Sequence, residues 1–430
     1  MEKKMSESDN VIFRKATKND ADSIFRVLSS AFQLIDGDFK WRNMRGLAYN
    51  ATESFLVLCK DEKIIGTVMI SPHWLKVGSV NVLKGDVGEV AVLRELHGQG
   101  YGTKLMQECV RYLSENGFHL SRLGGLVRFY KRFGYVPFPR RYYEFLLNDV
   151  KAGASTISPD RLINLPTEHE KKVRLYHPVR DWQARNDLYD EFNKNRSGSL
   201  VEWRGSSPPT TGEPDPNALR FVYDEDGKVL GYLFAGEYPY EPSPFEAKVT
   251  IYDSAFDLNK PYAFTALMAY VLRESIKRGA QRVTARLPFD PLIQKSLVDA
   301  ELSYSLQELQ SSIASNMMLV IDFKGLIKTI LPELSIRIAN APNFKPFSVQ
   351  MSLNDQKVIL KMDKASIEYK DNGNADAYLI CDMTAFLRWL FGINGFDEWQ
   401  VGVSHSFNCE QKKVFATLFP HLPCASGPWG

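Results

Sequence analysis

A short, largely apolar strand, Val87-Gly88-Glu89-Val90-Ala91-Val92, runs into a turn with glycine at every second position, His97-Gly98-Gln99-Gly100-Tyr101-Gly102-Thr103. An amphipathic helix follows. Leu105, Met106, Cys109, Val110 and Leu113 share one face of it, and Asn116-Gly117 stops it. Strand, bare turn and helix N-terminus in that order leave a row of backbone N–H groups without intrahelical partners, at the positive end of the helix dipole. Such a mouth favours an anion, and glycine lets a phosphate come close to the main chain.

At 430 residues the chain is long for a single core, and ordinary domain sizes predict about three domains. A net charge of +2 produces no field that demands nucleic acid or an anionic membrane as partner. Cys59, Cys109, Cys381, Cys409 and Cys424 form no CxxC pair and no metal-ligand spacing, so reduced thiols, a cytoplasmic home and no metal are expected. Residues 1–10 are polar and read as a tail, not a signal peptide. No run approaches the roughly 18 apolar residues of a membrane-spanning helix.

The fold class expected is α/β with mixed α+β sheets, in three segments. In 1–150, Val11-Ile12-Phe13 opens a strand, and Thr17 stands three residues before Asp20 as a cap for a helix carrying Ile24, Val27, Leu28 and Ala31. Runs at 55–59 and 64–75 form a hairpin, and strand 87–92 and the glycine-turn helix follow. A strand near 118–123, a short helix near 127–133, and strands near Tyr135 and at 142–147 complete this unit. The segment 151–325 repeats the order of three strands, helix, strand (221–223, 229–235, 247–252, 263–278, 282–286). Asp257-Leu258-Asn259-Lys260-Pro261 replaces its glycine turn, so this half is not expected to cradle a pyrophosphate. The segment 326–430 alternates strands at 347–353, 357–363, 366–369 and 377–381, then turns helical at 384–391. Phe386, Trp389, Leu390, Phe391 and Phe396 read as core packing before they read as the lining of a cavity.

The downstream Phe129-Tyr130-Lys131-Arg132-Phe133-Gly134-Tyr135 segment places a phenol in a short helix capped by Gly134. A glycine turn alone also opens dinucleotide-binding and P-loop folds, but no Gly-Lys-Ser/Thr follows, and no ribose-binding acid stands at a strand end near residue 120. An amide cradle together with a phenol points to acyl transfer from a coenzyme A thioester. Tyr130 is the candidate proton donor and a packed aromatic is the plainer alternative. Lys131 and Arg132 are surface cations or phosphate contacts, while His97 and His73 read as loop and strand residues. Cys109 faces the helix core with no activating base, which argues against an acyl-cysteine.

At these residues the chain resembles the GNAT acetyltransferase superfamily, whose signature Gln/Arg-x-x-Gly-x-Gly/Ala is matched by His97 to Gly102 except at its first position. The remainder resembles the enhanced intracellular survival (Eis) type: an active GNAT domain, a degenerate one over 151–325, and a sterol-carrier-protein-2-like domain over 326–430. The stretch from Leu188 to Gly198 followed by Trp203 is similar to the opening of that type's middle domain. The resemblance implies acetyl-CoA as co-substrate. Val90, Ala91 and Val92 would bind the pantetheine arm, and Gly98, Gln99, Gly100, Tyr101, Gly102 and Thr103 the pyrophosphate, with Gly125 and Leu126 completing the cofactor set. It further implies Tyr130 as general acid, the terminal carboxylate (here on Gly430) as general base, a homo-oligomer (a hexamer in that family), and a small-molecule or protein amine as acceptor. Asp36, Asp38 and Glu89 are the acids available to a cationic acceptor. The alternatives are a lipid- or metabolite-binding protein acting through 326–430, and the same enzyme class with a longer acyl donor.

Overall fold

A computed structural model describes residues 11–148, 150–152, 155–158, 163–201, 208–238, 247–364 and 366–424. The first sheet starts with β1 (Val11–Lys15), β2 (Phe55–Lys60), β3 (Lys63–Val77) and β4 (Val80–Val92), an antiparallel meander. Helices α1 (Ala21–Phe32) and α2 (Phe39–Asn50) fill the β1–β2 connection. From β4 the chain crosses through α3 (Tyr101–Glu115) to β5 (Leu120–Leu126), which lies parallel to β4. A parallel neighbour needs such a crossover, and the glycine turn is where it begins.

After α4 (Val127–Tyr130) and β6 (Val136–Pro137), strand β7 (Arg140–Leu146) leaves this sheet. Read from the sequence as part of the first unit, β7 instead pairs in the second sheet. A ribbon of β8 (Val150–Ala152) and β9 (Ser155–Ile157) leads to α5 (Thr167–Glu170), β10 (Val173–Leu175) and α6 (Trp182–Phe192). Strands β11 (Leu219–Glu225), β12 (Lys228–Glu237) and β13 (Val249–Phe256) are antiparallel. Helix α7 (Pro261–Lys277) then crosses to β14 (Arg282–Ala285), parallel to β13, so the second unit repeats the plan of the first. Helix α8 (Pro291–Asp299) and β15 (Ser305–Leu309) follow, and β16 (Ala314–Val320) returns to the first sheet between β5 and β6. The sheets therefore exchange strands, with order β1-β2-β3-β4-β5-β16-β6 in one and β10-β11-β12-β13-β14-β7-β15 in the other.

The last unit is α9 (Phe323–Ile338), β17 (Phe347–Leu353), β18 (Gln356–Met362), β19 (Ile367–Lys370), β20 (Ala377–Cys381), α10 (Met383–Leu390), β21 (Val403–His405) and α11 (Cys409–Leu418), with sheet order β19-β18-β17-β20-β21. One hydrophobic core runs without a break from the first unit into the last, and the second unit has a core of its own. The aromatic residues read as core do pack ring on ring: Trp389 lies 5.0 Å from Phe396, which lies 4.9 Å from Phe415. Among the described residues no helix is long and apolar enough to cross a membrane.

Candidate active site

Strands β4 and β5 pair only from Lys84 opposite Leu120 to Val87 opposite Leu123. Beyond that they part. β4 stays paired to β3 as far as Val92, and β5 to β16 as far as Leu126. Gly88–Val92 and Gly124–Leu126 therefore face each other across a split whose inner edges carry peptide groups outside the ladder, ready for an extended ligand. A bulge sharpens the split. The β3–β4 register shifts between Thr67 and Met69, and Glu89 takes φ +51°, with its carbonyl accepting from the Thr67 hydroxyl at 3.2 Å.

The glycine turn stands at the end of β4. Gly98 (φ +75°) and Gly100 (φ +87°) are left-handed, and a Cβ at Gly98 would meet no atom within 4 Å. Gly100 is the N-cap of α3 and offers no side-chain acceptor, so the first-turn amides of that helix are uncapped. Gly102 packs its α-carbon side toward the Phe129 ring, 3.7 Å from where a Cβ would sit. Side chains of the turn point away from the mouth. Tyr101 is buried and its hydroxyl accepts from the Lys60 ammonium at 2.8 Å, and the Gln99 amide donates back to the Glu95 carbonyl. His97 braces the turn through a 2.9 Å contact between Nε2 and the Val92 carbonyl, occupying the first signature position with a structural bond. An anion at this turn would accordingly be met by its main chain; Arg132 stands beside it, its guanidinium over the Phe129 ring (4.9 Å) and within 3.4 Å of the Thr103 hydroxyl.

Tyr130 ends α4 on the β5 side of the split. Its ring lies against Gly125 (φ +158°), so closely that a Cβ there would fall 2.6 Å from the ring. Phe129 (4.9 Å) and Tyr135 (6.3 Å) hold it edge-on, and Tyr135 is fixed by a 2.7 Å hydrogen bond with Ser121. Burial, with the neighbouring Cys109 as a lesser cause, pushes the Tyr130 phenol up to about 12, so it keeps its proton at neutral pH. Burial pushes the Cys109 thiol to about 12 as well, and no activating cation is among the causes of its shift.

Across the split, Glu89 is half-buried, and burial raises its carboxyl above the usual range although Lys40 opposes the shift. Asp38 caps α2, its carboxylate accepting the Trp41 amide at 2.6 Å. On the reverse face of the sheet, just before the split, Lys84 is fully buried and lies 2.9 Å from Asp86, with His73 3.4 Å from the same carboxylate. Arg122 donates to Asn316 at 2.8 Å. This polar cluster escaped sequence reading because its members lie on four strands, and only the β4–β5–β16 register brings them together. Gly430 lies outside the described residues, as does Trp203. Among the described residues no group of three or more His, Cys, Asp or Glu is arranged to hold a metal.

Residues 12–138 match the family model of the acetyltransferase (GNAT) domain. Among solved structures the chain is similar to a GCN5-related N-acetyltransferase from Kribbella flavida (16% identity, 97% of each chain, TM-score 0.65) and to another from Anabaena variabilis (15% identity, 96% of this chain and 98% of that one, TM-score 0.66). It is also similar to Eis1 from Mycobacterium abscessus (14% identity, 97% of this chain and all of that one, TM-score 0.59). At such identities the likeness is one of fold, here over nearly the whole length. No curated protein matches the chain in sequence.

Proposed function

We propose, on the premise that residues 12–138 form an acetyltransferase (GNAT) domain, that this acyltransferase moves acetyl from acetyl-CoA to a primary amine by direct attack in a ternary complex. The observation that carries the reading is the β4–β5 split, with an uncapped amide turn at one end and a protonated phenol at the end of α4, beside the facing strand. The residues fit the co-substrate: a Cβ at Gly98 would meet no atom within 4 Å, and over 88–92 the edge of β4 that faces β5 carries peptide groups outside the ladder, for the amides of a pantetheine arm.

In the reaction the amine nitrogen bonds to the thioester carbonyl carbon, the C–S bond breaks, and a proton leaves nitrogen while one reaches sulfur. The backbone of Val90, Ala91 and Val92 orients the arm, and the amides of Gly98 to Thr103 with Arg132 hold the diphosphate. Tyr130 donates to sulfur as its charge develops. Because the phenol is a weaker acid than a thiol of ordinary pKa near 8.5, its contribution is greatest as a hydrogen bond in the transition state.

Two bases are candidates for the nitrogen side. The Eis-type reading assigns the carboxylate of Gly430, outside the described residues; the chain is last described at Cys424, which burial and Arg141 mark as held near β7. Glu89 is favoured by its own geometry, a carboxyl raised by burial at the bulge beside Val90. Glu89→Gln and an Ala-Ala extension after Gly430 separate them. The variant that removes the base should lower kcat by about 10²-fold with acetyl-CoA affinity retained, the other leaving kcat within about twofold. Failure of the protein to bind acetyl-CoA in calorimetry, together with no thiol release with any amine, would overturn the whole reading.

The Eis-type organisation, a sterol-carrier-protein-2-like last unit, a cytoplasmic setting, a homo-oligomer, and no nucleic-acid or membrane partner belong to the same proposal and rest on resemblance. A lipid-holding last unit is less favoured, because Phe386, Trp389, Phe391 and Phe396 are buried against one another and their neighbours.

A further inference from the structure

Two neighbouring glycines, Gly124 and Gly125, open the free end of β5 just beyond its last pair with β4, and each faces one polar side chain. On the α3 side, a Cβ at Gly125 would fall 2.6 Å from the Tyr130 ring. On the reverse face, the one atom among the described residues that a Cβ at Gly124 would meet within 4 Å is the side-chain oxygen of Asn316, at 3.5 Å. Asn316 is the direct partner of Gly124 in the β16–β5 ladder. Because successive residues of a strand point to opposite faces, Tyr130 and Asn316 flank the mouth of the split from its two sides. Gly124 does not have a positive φ, so its backbone makes no demand for glycine, and the missing side chain leaves the Asn316 amide uncovered toward the split. Gly88, the first residue of β4 beyond the last pair, is equally clear: a Cβ there would meet no atom within 4 Å.

The amide is also oriented. Asn316 is 8% exposed, and its oxygen accepts from the Arg122 guanidinium at 2.8 Å. A guanidinium can only donate, so the oxygen must be the atom that faces Arg122, and the NH2 faces away from it. Among the described residues that NH2 donates to no acceptor. So buried a donor is rarely left unpaired, and a fixed donor beside a cleft clear of side chains is suited to an oxygen that gathers charge.

From this juxtaposition we infer that Asn316 is a catalytic residue of the acetyl transfer, its side-chain NH2 donating to the carbonyl oxygen of the thioester. Asn316 holds that oxygen while the carbonyl electron pair moves onto it as nitrogen bonds to carbon, and releases it as the pair returns and the C–S bond breaks. This deepens the acetyl-transfer reading and rests on it.

The test begins with calorimetry of the wild-type protein and acetyl-CoA; absence of binding overturns the underlying reading and the inference with it. With acetyl-CoA carrying 13C at the thioester carbonyl, infrared difference spectra of the bound molecule read the hydrogen bond on that oxygen with no acceptor present. Asn316→Ala and Asn316→Asp should both move the carbonyl band to higher wavenumber. Asn316→Asp keeps an acceptor for Arg122, so its urea midpoint should stay near that of the wild type, which separates a lost donor from a lost fold. In thiol release with a panel of primary amines, both variants should lower kcat about 10²-fold, the scale of one oxyanion donor. KM for the amine and the calorimetric Kd for CoA, which lacks the acyl oxygen, should stay within about twofold. A carbonyl band that neither variant moves overturns the inference. So does a raised Kd for CoA, which would give the amide to the pantetheine arm, or a raised KM with kcat retained, which would give it to the acceptor.

Discussion

At the scale of single residues, the role proposed for Tyr130 depends on what surrounds it. The phenol sits at the open edge of the split only because Gly125 has no side chain to displace its ring. Gly125→Ala would place a methyl 2.6 Å from the ring and strain a backbone at φ +158°, so the ring must swing away. We expect that variant to lose turnover to about the same extent as Tyr130→Phe, about 10²-fold in kcat, because both remove one hydroxyl from one place. Combining the two should cost little more than either alone, measured as thiol release at saturating acetyl-CoA. Fully multiplied losses would mean that Gly125 acts on something other than the phenol. The pH profile offers a second reading of the same pair. With its pKa near 12, Tyr130 keeps its proton as the acceptor amine loses its own, so kcat/KM should rise with pH with no falling limb near 10 from the phenol. Sequence reading singled out Tyr130 and the turn because both are local in the chain. It did not foresee that the side chains of Tyr101, Gln99 and His97 turn away to bond Lys60, Glu95 and Val92, since those partners are set by tertiary packing.

At the scale of elements, legibility followed periodicity. Helix α3 was plain because one face alone is buried, and strands β17 and β20 have the bounds that alternation and turn signals imply. Helix α9 was not read at all. It is buried against β4 on one side and the last sheet on the other, so it is apolar around much of its girth, and Pro332 stands inside it. Helix α2 was missed for the opposite reason, since its polar sequence buries only Met44 and Ala48, and Asp38 was read as an acid available to an acceptor rather than as the cap it is. The exchange of β7 and β16 between sheets was illegible in principle, because alternation tells which face a residue occupies and not which strand lies beside it. One residue joins α9 to the site-bearing strand and makes a testable point. His119 accepts the Leu83 amide at Nδ1 (3.0 Å), so its proton is on Nε2, facing the Thr329 hydroxyl of α9 at 2.9 Å. Burial lowers its pKa below the ordinary value, although Asp322 opposes this. The unfolded chain therefore takes up a proton near its usual pKa of about 6.5 that the folded chain refuses, and stability falls as pH drops through that region. Above it the contribution is flat. His119→Gln should lessen the fall in urea midpoint between about pH 7 and 5, a window set by the ordinary histidine pKa; an unchanged pH slope would remove His119 from the account.

At the scale of the whole molecule, the site is held by a strand anchored at its far end. The β3–β4 turn at Gly78 and Ser79 is where the three units meet. The Gly78 amide donates to Ser197 of the second unit at 3.1 Å, and the Ser79 amide and hydroxyl both donate to Glu333 of α9 at 2.7 Å. Glu333 in turn receives the Arg337 guanidinium at 2.7 Å, and Arg337 reaches the Leu418 carbonyl of α11 at 2.8 Å. Burial alone would raise the Glu333 carboxyl, but the Ser79 bonds and Arg337 outweigh it and hold it below the usual range. Because the first and last units share one core, this junction is expected to unfold with them as a unit rather than as a hinge. Glycine is required at 78 on two grounds: φ is +56°, and a Cβ would lie 2.1 Å from the Glu333 carboxyl carbon. Gly78→Ala should lower stability by about 2–3 kcal/mol, near the upper end of the cost of a left-handed non-glycine residue. Glu333→Ala should lower it by about 3 kcal/mol, since it leaves Arg337 buried without its carboxylate. The double variant decides between the two grounds. If the clash matters, removing the carboxylate relieves it, and the double loss falls short of the sum by more than about 0.5 kcal/mol in urea unfolding. Strict additivity would leave backbone conformation as the sole reason for the glycine, and the contact with α9 would then have no part in fixing the strand that carries the site.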